Sequence, residues 1–250
     1  MFLDRRDLAG PFDLVGDVHG CAGELRDLLV RLGWRLVHDV RGRATGADHP
    51  EGRTAVFVGD LVDRGPDTPG VLRLVMGMVA AGTALCVTGN HEAKLVRALR
   101  GAHVQVRHGL AESLAQLAAE PELRDAVVEF AEGLPDHLLL DGGDLVVAHA
   151  GLREELQGVD SPRARAFALY GQPTGRTDER GLPVRHDWAR DYRGEATVVY
   201  GHTPVASAEW VNNTVCLDTG AVFGGRLTAL RWPERELVDV PARRVWYARP

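Results

Sequence analysis

Five short apolar runs constrain this chain more than anything else in it: "FDLVGD", "TAVFVGD", "TALCVTGN", "DLVVAHAG" and "ATVVYGHTP". Each has the length and the apolar, β-branched content of a buried strand. Each also ends in Gly or Ala beside a polar cluster. The first strand delivers Asp17 and His19, the second Asp60, the third Asn90, the fourth His149 and the fifth His202. A carboxylate or imidazole desolvated at a strand end needs compensation, which a metal ion supplies. Sites in open α/β sheets gather at the carboxyl ends of strands. Six oxygen and nitrogen ligands are therefore expected to converge.

Helical patterns fill the gaps between the first three strands. Leu25, Leu28, Leu29 and Leu32 follow helical spacing, and "GVLRLVMGMVAAG" and "EAKLVRALRG" close at Gly82 and Gly101. The βαβαβα order predicts an α/β fold whose sheet is at least partly parallel. Residues 109–134 read as helical with a break at Pro121. Residues 152–195, with the turn-rich "GQPTGRTDERGLP", read as a loop or cap insertion within one domain spanning 1–250. The segment from "TVCLDTG" to "ELVDV" reads as a β-meander with Gly224-Gly225 as a hairpin turn.

Bulk properties narrow the function. The chain has 45% hydrophobic residues, enough for a large core. It contains no apolar run long enough to span a bilayer and no signal-peptide pattern at its start. A cytoplasmic location without membrane partners is expected. The net charge of −6 argues against a protein-wide basic surface for duplex nucleic acid. It leaves room for a local cationic pocket. Lys94 is the single lysine and the other basic residues are arginines, which suit bidentate phosphate contacts. Cys21, Cys86 and Cys216 form no CxxC pair, so neither a disulfide scaffold nor a thiolate zinc site is expected.

Carboxylate, amide and imidazole ligands together suit Mn, Fe, Zn or Ni better than Ca or Mg. Two divalent ions are expected, with Asp60 as the bridge. Such a pair, held about 3.5–4 Å apart, clamps the attacking and leaving oxygens of a phosphoryl displacement and makes hydroxide available near neutral pH. "GDLVDRGPD" adds Asp63 and Arg64, and "GNHE" adds His91 beside Asn90. Arg64 can fork onto two phosphate oxygens, with Asn90 and His91 as further phosphate contacts. His91 is the candidate general acid, and Asp63 either holds its imidazole or serves the turn. The remaining histidines, His38, His49, His103, His108, His137 and His186, read as ordinary core or surface residues.

In order, the motifs GDxHG, GDxVDRG, GNHE, HAG and GHTP resemble the binuclear metallophosphoesterases of the phosphoprotein phosphatase type over residues 12–221. The resemblance implies a β-sandwich core of mixed sheets flanked by helices, with the metals at one edge. It assigns Asp17, His19 and Asp60 to one ion, and Asp60, Asn90, His149 and His202 to the other. "GPFDLVGDVHGC", "HPEGR", "VVYGHTP", "VNNT" and "PERE" are similar to the phosphatase module of bacterial polynucleotide kinase–phosphatase. That likeness implies hydrolysis of 2′- or 3′-phosphate and 2′,3′-cyclic phosphate ends of RNA or nucleotides, with manganese favoured. It also singles out Asp218 in "LDTG" as functional. No GxxxxGK[ST] occurs, so the chain reads as an excised module or a free-standing relative, with kinase or ligase partners in cis or trans.

Small bacterial bis(5′-nucleosyl)-tetraphosphatases share the motifs from GDxHG to GHTP and much of the "DWA" segment, and are the alternative. Serine/threonine protein phosphatases share only the metal motifs. A non-catalytic, metal-holding nucleotide-binding module is the reading from another class, and intact His91, Arg64 and Asp63 speak against it. Specificity is expected in the cap at 152–195 and in the helices of 103–134. Arg153, Arg163, Arg165, Arg176, Arg185, Arg190 and Arg193 crowd the cap, either as an ordinary solvated surface or as contacts for a polyanionic ribonucleotide. Trp188 and Tyr192 there serve either to stack a base or to pack a core.

Overall fold

Phe12, Asp13, Leu14 and Val15 are all buried, so the sheet that holds them is covered on both faces. The computed structural model describes residues 1–177 and 183–248. In chain order the strands are β1 (Leu3–Arg5), β2 (Phe12–Val15), β3 (Arg35–His38), β4 (Ala44–Asp48), β5 (Thr54–Phe57), β6 (Ala84–Cys86), β7 (His137–Leu140), β8 (Leu145–Ala148), β9 (Pro173–Thr177), β10 (Pro183–Arg185), β11 (Thr197–Tyr200), β12 (Trp210–Val211), β13 (Thr214–Cys216), β14 (Arg226–Trp232) and β15 (Glu236–Pro241). The helices are α1 (Ala22–Leu32), α2 (Thr68–Ala80), α3 (Asn90–Leu99), α4 (Leu110–Ala118), α5 (Pro121–Gly133), α6 (Pro162–Tyr170) and α7 (Trp188–Asp191). Pro121 sits at the first turn of α5, where its missing N–H costs nothing.

Two mixed sheets face each other. One runs β15-β14-β2-β5-β6 and the other β1-β7-β8-β11-β13-β12, and two hairpins, β3-β4 and β9-β10, stand apart. Alternate residues of each sheet make the layer between them. Phe12, Leu14, Val56 and Leu230 from the first meet Leu138, Leu145, Val147 and Val199 from the second. The opposite face of the first sheet packs Val15, Ala55 and Phe57 against Leu25, Leu29, Leu72 and Val75 of the helices. The second sheet is covered on its outer face by Leu152, Phe167, Trp188 and Tyr192. Asp13 is the charged exception, and it accepts hydrogen bonds from Arg53 Nε and Trp34 Nε1, both at 2.8 Å.

Register brings the strand ends together. β2, β5 and β6 are parallel, with Val15 opposite Phe57 and Phe57 opposite Cys86. β8, β11 and β13 are also parallel, with Val147 opposite Val199 and Tyr200 opposite Cys216. Their carboxyl ends leave from one edge of the sandwich.

The C-terminal segment departs from the expected meander. β13 lies in the second sheet while β14 and β15 lie in the first. Gly224-Gly225 therefore belongs to a crossing between sheets. Residues 221–223 form a 3-10 turn there, and the β14–β15 hairpin turns instead between Trp232 and Glu236. Packing decides this, because the inner faces of both sheets must be filled, and local turn chemistry cannot report which sheet a strand joins.

Candidate active site

The loops that leave these strands are held in costly conformations. Among the described residues nine non-glycine residues have positive φ, and five of them are His19, Asp60, Asp63, Arg64 and His202. Backbone strain of this kind, worth of order 1–3 kcal/mol per residue, persists only where surrounding contacts dictate it. The motif glycines allow close approach. A Cβ on Gly201 would stand 1.8 Å from Asp17 Oδ1, and one on Gly89 would stand 2.2 Å from Asp60 Oδ1.

Asp60 is the centre. Its Oδ2 lies 3.3 Å from His149 Nε2, 3.6 Å from His19 Nε2 and 3.9 Å from His91 Nε2. His149 Nε2 is also 3.0 Å from Asn90 Oδ1 and 3.0 Å from His202 Nδ1. Donor atoms bound at right angles about an ion at ~2.1 Å are roughly 3 Å apart, so this spacing fits one coordination shell. Among the described residues two groups able to hold a cation emerge, His19–Asp60–His91 and Asp60–His149–His202, and Asp60 is in both.

Backbone carbonyls aim the imidazoles. His149 Nδ1 donates to the Val58 carbonyl at 3.0 Å and His19 Nδ1 to the Val62 carbonyl at 2.8 Å. Each Nε2 is thereby turned towards Asp60, the arrangement that outer partners impose on metal-binding histidines. Burial pulls the His149 ring down, but Asp60, Asp17 and Glu92 outweigh it and raise it to about 9. A proton on Nε2 satisfies one of the three acceptors around it, whereas a divalent cation satisfies them all. Burial pushes the Asp60 carboxyl up, yet His149 and His91 hold it well below the usual carboxylate range.

Asp17 and Asp218 complete the charge imbalance. Burial, then Asp218, drives the Asp17 carboxyl well above its usual range, and burial, with Asp60 nearby, raises Asp218 to about 6. Asp17 Oδ2 accepts from His202 N at 3.0 Å. Its Oδ1 and His202 Nε2 are buried without a hydrogen-bond partner. Three crowded carboxylates and orphaned buried atoms fit a pair of cations.

Arg64 and His91 face the first group. The Arg64 guanidinium reaches His19 Nε2 at 2.5 Å and His91 Nε2 at 2.9 Å, a positive charge set against lone pairs. His91 Nδ1 bonds Asp63 Oδ2 at 2.6 Å, and the Asp63 amide donates to Ser113 Oγ at 2.9 Å. Asp63 thus holds the imidazole, while the cap of α2 falls to Asp67.

The comparisons decide the family. A calcineurin-like phosphoesterase family model matches residues 10–233. This chain belongs to that family. Its calcineurin-like relatives include a bis(5′-nucleosyl)-tetraphosphatase PrpE [asymmetrical] from Anoxybacillus flavithermus, 45% identical, with 92% of this chain and 94% of the relative aligned. The namesake from Halalkalibacterium halodurans is 46% identical over 93% and 94% of the two chains. A provisionally assigned diadenosine tetraphosphatase of known structure has TM-score 0.69 and 28% identity, covering 96% of this chain and 97% of its own. A serine/threonine phosphatase from Saccharomyces cerevisiae, at TM-score 0.63 and 16% identity over 100% of this chain and 84% of its own, shares the fold. The chain is therefore a hydrolase of phosphate esters, and the calcineurin-like family implies divalent metal ions.

Within the calcineurin-like site, sequence reasoning missed Glu92. Its carboxylate accepts from the amides of Asp60 at 2.8 Å, Leu61 at 2.8 Å, Val62 at 3.2 Å and Gly89 at 2.9 Å. One side chain thus ties the Asp60 loop to the start of α3. Burial, then the Asp60 charge, lifts it to about 7 against those donors. The available signal was its place as the third helical residue after Gly89, the acidic half of a capping box.

The described part of the cap packs on the second sheet; residues 178–182 of "GQPTGRTDERGLP" lie outside the described residues. Trp188 and Tyr192 are buried, in edge contact with each other at 5.9 Å, so they pack a core. Cys21, Cys86 and Cys216 are free and buried. Among the described residues no helix is long and apolar enough to cross a membrane.

Proposed function

We propose that this chain hydrolyses bis(5′-nucleosyl) tetraphosphates asymmetrically, to a nucleoside monophosphate and a nucleoside triphosphate. The observation that carries this reading is the likeness to asymmetrical tetraphosphatases over nearly the full length of both partners, at 45% identity. Water oxygen bonds to an outer phosphorus, the adjoining P–O–P bridge breaks, and the triphosphate leaves. Asp17, His19 and Asp60 would hold one divalent cation, and Asp60, Asn90, His149 and His202 the second. The mixed oxygen and nitrogen donors suit manganese, iron, nickel or zinc. When bound, the cations neutralise phosphate charge and lower the pKa of water.

The chain's own side chains do the rest. Arg64 leaves His19 and His91 to fork onto the phosphate under attack. That leaves His91 Nε2, with Asp63 steadying the ring, to hydrogen-bond the departing oxygen, and to protonate it where the leaving group is an alkoxide. Asn90 contributes a phosphate contact, and Asp218 adds negative charge beside Asp17. Hydrolysis of 2′- or 3′-phosphate and 2′,3′-cyclic ends ranks second, and the relatives lend no support to kinase or ligase partners.

The test sets diadenosine tetraphosphate, a 3′-phosphorylated RNA oligonucleotide, 2′,3′-cyclic AMP and a phosphoserine peptide side by side with manganese. The tetraphosphate is expected to lead in kcat/KM by about tenfold or more, yielding AMP and ATP. A faster RNA end would move the reading to end repair, and ADP as the product would remove the asymmetry.

A further inference from the structure

The cap arginines divide sharply once their partners are known. Arg165 reaches Asp136 at 3.2 Å and Arg190 reaches Asp187 at 2.7 Å. Arg153 lies over the Phe167 ring at 5.8 Å and near Glu155 at 4.0 Å. Arg193 donates to the Arg190 and Tyr192 carbonyls, both at 2.7 Å. Arg163 and Arg176 are exposed. Arg185 differs from all of them: it is half-buried and has no carboxylate within ion-pair distance among the described residues.

Its position is built. Arg185 sits on β10 opposite Pro173 of β9, and its Nε donates to the Tyr170 carbonyl at 2.9 Å. A Cβ on Gly171 would stand 3.6 Å from Arg185 Cδ and 3.9 Å from the Ala150 carbonyl. Gly171 thus lies against both the Arg185 stem and the carbonyl of Ala150, the residue that follows His149. One guanidinium N–H is spent on the fold and four remain. A half-buried cation without a carboxylate among the described residues calls for an anion. Arg64 serves the His19 group, and Arg185 reaches Gly171, which lies against the segment that follows His149.

We infer that Arg185 is a specificity-determining contact for a polyphosphate chain, gripping a phosphate next to the one under attack. A phosphate monoester has no second phosphate to offer it, whereas a dinucleoside tetraphosphate does. This rests on the tetraphosphatase reading of the same site.

The experiment compares Arg185→Gln with the parent on diadenosine tetraphosphate and p-nitrophenyl phosphate. The kcat/KM for the tetraphosphate is expected to fall about tenfold further than that for the monoester, chiefly through KM. Arg185→Lys should recover part of the difference by keeping the charge without the fork. Arg176→Ala, in the same hairpin, should leave the ratio of the two substrates where it was. Equal losses on both substrates would overturn the assignment. A second readout does not require tetraphosphate turnover: inhibition of p-nitrophenyl phosphate hydrolysis by inorganic tripolyphosphate. Arg185→Gln should weaken that inhibition about tenfold more than inhibition by orthophosphate. If the parent fails to cleave the tetraphosphate yet this selectivity holds, the substrate reading falls and the Arg185 contact stands. If the parent cleaves the tetraphosphate and the selectivity is absent, only the contact falls.

Discussion

The strand-end loops and the cap are opposites in construction. In the loops Asp17, His19, Asp60 and His149 are buried, and the backbone is forced into left-handed conformations at His19, Asp60 and His202. In the cap, β9 is exposed along its whole length, and most arginines are spent on neighbours or solvent. The loops are pinned from both sheets: the Gly201 amide donates to the His149 carbonyl at 2.8 Å, and His149 bonds the Val58 carbonyl of the other sheet. The difference teaches that reaction geometry rests on paired, over-determined strand ends. Substrate choice rests on a few side chains added at the rim.

Substitutions can break or sharpen that contrast. The largest effect is expected at Asp60. Asp60→Asn should strip both cations and reduce turnover of every phosphate ester by about 10³-fold or more. Metal analysis beside activity checks it, and retention of two ions per chain would refute the bridge. Glu92→Gln touches no substrate but places an amide against four backbone N–H groups. Manganese affinity is expected to drop about 10–100-fold by calorimetric titration, as for other partners that orient metal ligands. An unchanged affinity would leave Glu92 with a folding role alone.

His91→Ala should discriminate by leaving group. An alkyl phosphate, whose alkoxide needs a proton, is expected to slow by about 10²–10⁴-fold. The tetraphosphate should slow much less, because a departing triphosphate oxygen is already stable as an anion. Equal losses on the two would remove the acid role. Smallest is Arg176→Ala in the exposed hairpin, expected to change neither substrate's kcat/KM by more than about twofold. A larger effect would mean that the rim shares the geometry of the centre.

The candidate ligands were legible because each sits directly after an apolar run, and strand-end chemistry is a local pattern. His91 and Asp63 were legible for the same reason, lying within a few residues of Asn90 and Asp60. Asp218 followed a strand like the others, but its importance depends on β13 lying parallel to β11, which no residue near it announces. The crossing at Gly224-Gly225 was misread on the same ground. Glu92 was quoted in its motif, yet its role lies in hydrogen bonds to a loop about thirty positions away.

By itself, then, the amino-acid order determined which side chains reach the sandwich edge, since alternation and strand length make each end a local decision. Only the tertiary structure decided which of them share an oxygen of Asp60, which carboxylates crowd together, and which cap arginine is half-buried without a carboxylate partner among the described residues. Those outcomes depend on distances between segments far apart in sequence, and these are set by sheet register and packing.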